Sequence, residues 1–202
     1  APNNFIGNYV INNTSFNASY RWLPKLETIT SYSPSIFYYL QATGQDFSYV
    51  DNTFDQQFLY LWKPSTSLVF EYRFDTRTFL EVDDYDSVGN FLLFGFNHTL
   101  NPRSVLNLRL GAEQRFSQVP STGETSTYLG PFGQLELNYS LRPRTIVTLT
   151  ARYGTTAASQ QGYTQDQQFL SGLTFSHAFG RRLTGSLFFN YQNNFYDQPD
   201  GV

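Results

Sequence analysis

The chain has 202 residues, enough for one domain of ordinary size, and is read as a single domain over 1–202. Aromatic residues make up 18% of it, charged residues only 14%, and the net charge is −3, which excludes a disordered tail, a coiled coil and a nucleic-acid binder held by phosphate contacts. Cysteine is absent, which excludes disulfides and thiolate chemistry, and no run of 18 apolar residues could form a membrane-spanning helix.

The chain opens Ala1-Pro2-Asn3-Asn4 without methionine, so both a mature end left by signal-peptide removal and the start of a covered segment stay open. Alternation of apolar and polar residues then predicts ten strands: 12–22, 26–40, 53–62, 67–79, 89–100, 104–116, 128–141, 145–155, 167–179 and 182–196. The N-terminal pair is the least regular. Pro34 is expected to interrupt the second strand, and Phe5, Gly7, Tyr9 and Ile11 read as the rim of a further one. From 67 onward the period is strict. Leu68, Phe70, Tyr72 and Phe74 share one face, and Glu71, Arg73, Asp75 and Arg77 the other. Leu106, Leu108 and Leu110 oppose Asn107 and Arg109, and Leu135, Leu137 and Tyr139 oppose Gln134, Glu136 and Asn138. In the last hairpin Leu173, Phe175 and His177, then Leu187, Phe189 and Tyr191, hold the apolar face.

A repeat punctuates these strands: Tyr20-Arg21-Trp22-Leu23-Pro24-Lys25, Tyr60-Leu61-Trp62-Lys63-Pro64-Ser65, His98-Thr99-Leu100-Asn101-Pro102-Arg103, Tyr139-Ser140-Leu141-Arg142-Pro143-Arg144 and His177-Ala178-Phe179-Gly180-Arg181-Arg182. Their first residues are 40, 38, 41 and 38 positions apart. Proline presets φ for a turn and cannot donate within a central strand, so each repeat marks a tight turn. The connections between repeats, 42–52, 80–88, 117–127 and 156–166, are longer and polar.

Antiparallel strands with tight turns at one end and longer loops at the other are the signature of an outer-membrane β-barrel. Hydrocarbon offers no hydrogen-bond partners, so a sheet spans it only when closed. The expected fold is therefore all-β, an antiparallel up-and-down transmembrane β-barrel with about ten strands visible, belonging to a barrel of 12 or more. Charge placement agrees. Of 13 basic residues, Lys25, Lys63, Arg103, Arg142, Arg144, Arg181 and Arg182 lie at the tight turns, and the others have polar-face parity. Most acids, including Asp46, Asp51, Asp55, Glu81, Glu124, Asp166, Asp197 and Asp200, are assigned to the long loops and their rims. Tyr20, Trp22, Tyr60, Trp62, His98, Tyr139, His177 and Phe179 recur at one height as a membrane girdle, with Phe16, Phe54, Phe116, Tyr128, Tyr153, Phe169 and Phe195 as candidates for the opposite girdle.

The hairpin running from Ser87-Val88-Gly89-Asn90 through Phe94-Gly95-Phe96-Asn97-His98 to Asn101-Pro102-Arg103, followed by Leu110-Gly111-Ala112-Glu113-Gln114-Arg115, resembles a family of outer-membrane β-barrel porins of Gram-negative bacteria. The segment with Tyr128, Leu135 to Pro143 and Leu149-Thr150-Ala151-Arg152-Tyr153-Gly154 is similar in style, and the likeness covers roughly residues 50–195 as a pattern of spacing and residue type. It implies a pore and carries no catalytic residues. One departure is that Asp197-Gln198-Pro199-Asp200-Gly201-Val202 reads as the start of a long loop, where such barrels commonly end on a strand with a terminal aromatic; this suggests a part of a longer barrel.

The candidate pore-lining residues are Glu71, Arg73, Asp75, Arg77, Arg109, Glu113, Arg115, Glu136 and Arg152. Two readings stand for them: fixed charges along a water-filled lumen, or ion pairs filling a closed interior. No catalytic, metal or cofactor site is assigned. His98 and His177 share a repeat position with tyrosines, which fits a girdle better than a ligand set or triad. Asp83-Asp84-Tyr85-Asp86 with Glu81 lacks calcium-loop spacing and reads as a solvated loop. The expected function is passive diffusion of small hydrophilic solutes or ions. The alternative is a plugged barrel anchoring a surface layer, filament or polysaccharide through its loops. The expected partners are the lipid bilayer, lipopolysaccharide and small solutes, with a surface-layer or filament protein or a second copy for the alternative; no cofactor or nucleic acid is expected.

Overall fold

The computed structural model describes residues 8–40, 48–80, 86–118, 125–157, 165–180 and 183–196. Every element is a strand: β1 (Tyr9–Asn13), β2 (Phe16–Leu23), β3 (Leu26–Tyr39), β4 (Tyr49–Lys63), β5 (Thr66–Phe79), β6 (Ser87–Asn101), β7 (Ser104–Gln118), β8 (Thr125–Arg142), β9 (Thr145–Ala157), β10 (Gln165–Ala178) and β11 (Thr184–Tyr196). No helix among the described residues is long and apolar enough to cross a membrane, which says nothing of strands. All pairings are antiparallel and, from β3 onward, between sequence neighbours. β1 and β2 both pair with β3, so they are two halves of one edge strand. The sheet is not closed: in the described residues β1–β2 form one edge and β11 the other.

Pro34 does not interrupt the second predicted strand. β3 runs through it, and the Pro34 carbonyl accepts the Thr14 N–H at 3.0 Å. In a strand a residue's N–H and C=O point to the same side, so the donor that proline lacks faces the gap between β1 and β2. The break expected in one strand is displaced to its neighbour. Tyr9 and Ile11 do belong to a further short strand, β1, which pairs with β3 in line with β2; Phe5 and Gly7 lie outside the described residues.

The repeat has a structural meaning beyond its proline. At four turns the register slips by one residue, and the extra residue is the large apolar member of the repeat: Trp22, Trp62, Leu100 and Leu141. Turns of ordinary hand splay the strands they join, and a β-bulge restores local right-handed twist, so bulge and proline turn work as a pair. The second residue of each turn then accepts a backbone hydrogen bond from the next repeat. Leu61 donates to Lys25, Thr99 to Ser65, Ser140 to Arg103 and Ala178 to Arg144, at 2.7–2.9 Å.

The two faces of the sheet differ as the alternation predicts, but burial falls on the polar one. Glu71 is 1% exposed, Glu113 0% and Arg115 5%, while Phe94 is 59% and Leu187 73% exposed. Among the described residues the buried hydrophobics are four, Val69, Phe91, Leu93 and Phe132, and all share the concave face with the charges. The sheet curls enough for Arg73 of β5 to reach the ring of Phe132 on β8. Ordinary globular domains place their large apolar side chains inside and their charges outside.

Candidate functional site

The concave face is built from register rows. Asp75 of β5, Gly89 of β6 and Arg115 of β7 stand in one row. Because Gly89 carries no side chain, Arg115 crosses it and donates from Nη1 and Nη2 to the two Asp75 oxygens, both at 3.1 Å. A Cβ at residue 89 would stand 2.5 Å from Asp75 Oδ1. Arg115 Nε also donates to Glu113 at 3.0 Å, and Glu113 accepts the Thr155 N–H at 2.9 Å together with the Thr155 hydroxyl. Arg77 forms a two-pronged pair with Asp51, both bonds at 2.8 Å. Arg73 bridges Asp55 and Glu71, and Glu71 also accepts Arg109 Nε at 3.2 Å.

All nine sequence-predicted pore residues therefore lie on the concave face, and seven of them belong to ion pairs. The exceptions are Glu136, which accepts from the Asn138 amide, and Arg152. Among the described residues Arg152 makes no ion pair or hydrogen bond; its guanidinium stands 5.2 Å from the centre of the Phe132 ring.

Two phenylalanines divide this face. Phe91 and Phe132 meet edge to face, 5.1 Å between centres at 76°, and the guanidiniums of Arg73, Arg115 and Arg152 pack on them at 5.2–5.8 Å. Toward the loop end lies a cavity of about 190 Å³, lined in part by Asp51, Arg77, Ser87, Arg115, Arg152 and Thr155. Toward the turn end lies one of about 280 Å³, lined in part by Gln57, Glu71, Asn97, Asn107, Arg109 and Glu136. Each has room for water and an abundance of polar partners.

On the convex face Tyr20, Trp22, Tyr60, Trp62, Tyr139 and Phe179 are exposed beside the tight turns. His98 and His177 stand at the same level, each with Nδ1 against a threonine hydroxyl of the preceding hairpin, Thr66 at 2.7 Å and Thr145 at 2.8 Å. Phe16, Phe54, Phe116, Tyr153, Phe169 and Phe195 occupy convex positions toward the loop end. Tyr128 does not. It is the register partner of Arg115 and so lies on the concave face, while Leu129, 73% exposed, stands outside.

Sequence reading also set the start of the third predicted strand, 53–62, too late. Asp51 and Asp55, assigned to a loop and its rim, sit inside β4 as partners of Arg77 and Arg73, because β4 begins at Tyr49. It missed Phe91 and Phe132 altogether, although both stand at the parity of the charged residues. An aromatic on the polar face was the available signal. Glu81, Asp83 and Asp84, like Asp46, Glu124, Arg181, Arg182, Asp197 and Asp200, lie outside the described residues; Asp86 accepts the Phe79 N–H at 2.8 Å across the base of its loop. No family model, curated protein or solved structure matches the chain.

Proposed function

We propose that the chain is the wall of an outer-membrane β-barrel, porin-like, through which small hydrophilic solutes and ions diffuse passively. The observation that carries this reading is the inverted polarity of the sheet: carboxylates and guanidiniums are buried on the concave face, while the convex face exposes leucine and phenylalanine. Water would penalise such a surface, whereas a bilayer requires it, and an aromatic belt beside the turns fits the headgroup level. Two charge-lined cavities provide a polar route along the concave face. The unpaired edges of β1–β2 and β11 belong to the proposal as well, since hydrocarbon demands that they be closed by further strands or a second copy. The implied setting is the Gram-negative outer membrane, with lipid and lipopolysaccharide against the convex face.

A second reading has its own observation. The Phe91–Phe132 contact, with each ring at most 2% exposed, fills the middle of the concave face, as a plugged barrel that anchors a surface layer, filament or polysaccharide would require. Conductance of the detergent-extracted protein in a planar bilayer separates the two. Discrete, reproducible steps support the pore; membrane insertion without steps refutes conduction and leaves the plugged barrel.

A further inference from the structure

We propose that the loop-end cavity holds a site for a small oxyanion, a free carboxylate or phosphate solute, centred on Arg152. This rests on the reading of the concave face as a solute route and assigns that route a ligand class. Three arginines line the cavity, and two are already satisfied: Arg77 by both oxygens of Asp51, Arg115 by both oxygens of Asp75. Glu113 stands behind Arg115 with both of its oxygens engaged by Arg115 and Thr155. Arg152 is the surplus charge. A guanidinium carries five N–H donors in a planar fork and no acceptor, and here it stands 5.2 Å from the centre of the Phe132 ring in the lining of the cavity.

A charge held in so confined a place without a counter-ion is costly, and a fork of that shape is matched by two oxygens on one atom. A second, independent observation points the same way. Ser87 lines the same cavity, and its Oγ is buried without a hydrogen-bond partner. An unpaired hydroxyl and an unpaired guanidinium in the lining of one cavity together complement an oxyanion. Among the described residues a cation finds no free carboxylate in this lining, because Asp51 and Asp75 are both committed to arginines. The cavity, at about 190 Å³, is far larger than the roughly 10–15 Å³ that one water requires. It opens on the concave face, so the ligand comes from the solute stream and not from lipid headgroups on the convex side.

The test uses the full chain in detergent micelles and titrates inorganic phosphate by calorimetry at low ionic strength, with Arg152→Gln as the variant. Arg21→Gln serves as control, because Arg21 lies on the edge strand and pairs with Glu27 outside the cavity. The expected result is saturable binding to the parent and to Arg21→Gln, and a loss of at least about tenfold in Arg152→Gln, the worth of a charge-assisted hydrogen bond. Absence of saturable binding in the parent, or equal binding in Arg152→Gln, overturns the site. Should Arg152→Gln fail to fold, Arg152→Lys and Ser87→Ala carry the test: weakened binding in both supports the site, and parental affinity in either refutes it. Binding in micelles needs no conduction, so steps in a bilayer without phosphate binding sink only this inference. Phosphate binding without steps sinks only the pore.

Discussion

Replacing Leu110 by arginine sets the bilayer reading against a soluble one, because the two predict opposite outcomes. Leu110 lies at the middle of β7 on the convex face, 55% exposed, with its register partner Phe94 at 59%. An arginine at the midplane of a barrel's lipid face costs about 2–4 kcal/mol. At about 1.4 kcal/mol per tenfold, the folded-to-unfolded ratio falls by about 25- to 700-fold. On a water-exposed sheet the same change stays within about 0.5 kcal/mol. Asn107→Arg is the matched control: it places the same side chain on the same strand but on the concave face, opposite Glu136, whose carboxylate is in no ion pair among the described residues. It is expected to leave stability near the parental value. Urea unfolding from phospholipid vesicles, followed through the fluorescence of Trp22 and Trp62, reads both variants. Equal tolerance of the two arginines, or a parent chain that stays monomeric without detergent, refutes the assignment of the convex face to lipid.

Three further outcomes follow from the packing of the two faces. Gly95→Ala places a Cβ 1.8 Å from the Leu108 carbonyl oxygen, a backbone atom that cannot yield, so a destabilisation of about 1–3 kcal/mol is expected in the same unfolding assay. Gly133→Ala, whose nearest contact is Leu110 Cδ2 at 3.4 Å, is expected to be neutral or slightly stabilising, and a reversed order of the two would contradict the packing described. Phe132→Ala removes the partition between the two cavities, at a stability cost of about 3–5 kcal/mol. Its single-channel conductance is expected to exceed the parent's; an unchanged conductance would show that the Phe91–Phe132 contact does not limit the path. Glu113→Gln takes the charge from a carboxylate bonded to Arg115 and Thr155 and is expected to cost about 1.5–3 kcal/mol, whereas Glu136→Gln, at a carboxylate bonded among the described residues only to an amide, should change stability little by urea titration.

Much of this was legible in the sequence, for a physical reason. A two-sided sheet records its faces in strict alternation, so the strands from 67 onward and the side of every pore candidate follow from parity alone. Pairing between strands two apart left a fainter mark. The Arg115–Asp75 pair depends on the missing side chain of Gly89 between them, and a glycine at charged-face parity reads as a gap until the register is known. Phe91 and Leu93 were hidden in the run Phe91-Leu92-Leu93-Phe94, where every residue is apolar and the period vanishes. Asp51 was drawn into a loop, leaving Asp55 at its rim, because Asp51-Asn52-Thr53 has the composition of one; Arg77 and Arg73 on the neighbouring strand pair with both inside the sheet. Pro34 was read as a break in its own strand because a sequence shows which residue lacks a donor, not which neighbour that donor would have met.

The turn carbonyls that each receive an N–H from the following repeat make every hairpin the template for the next. Among the described residues the hydrogen bond of greatest sequence separation, from the Thr155 N–H to Glu113, joins positions only 42 apart, about the length of one repeat. A chain of this kind can grow in order, each new hairpin docking on a finished edge and leaving an equivalent edge behind. Loop closure then recurs at nearly constant span and does not lengthen with the size of the sheet. The same arrangement makes the hairpin a natural unit of gain or loss: removing one whole repeat would rejoin equivalent turns and bulges at matching height, and the girth of the wall would change without disturbing its rungs.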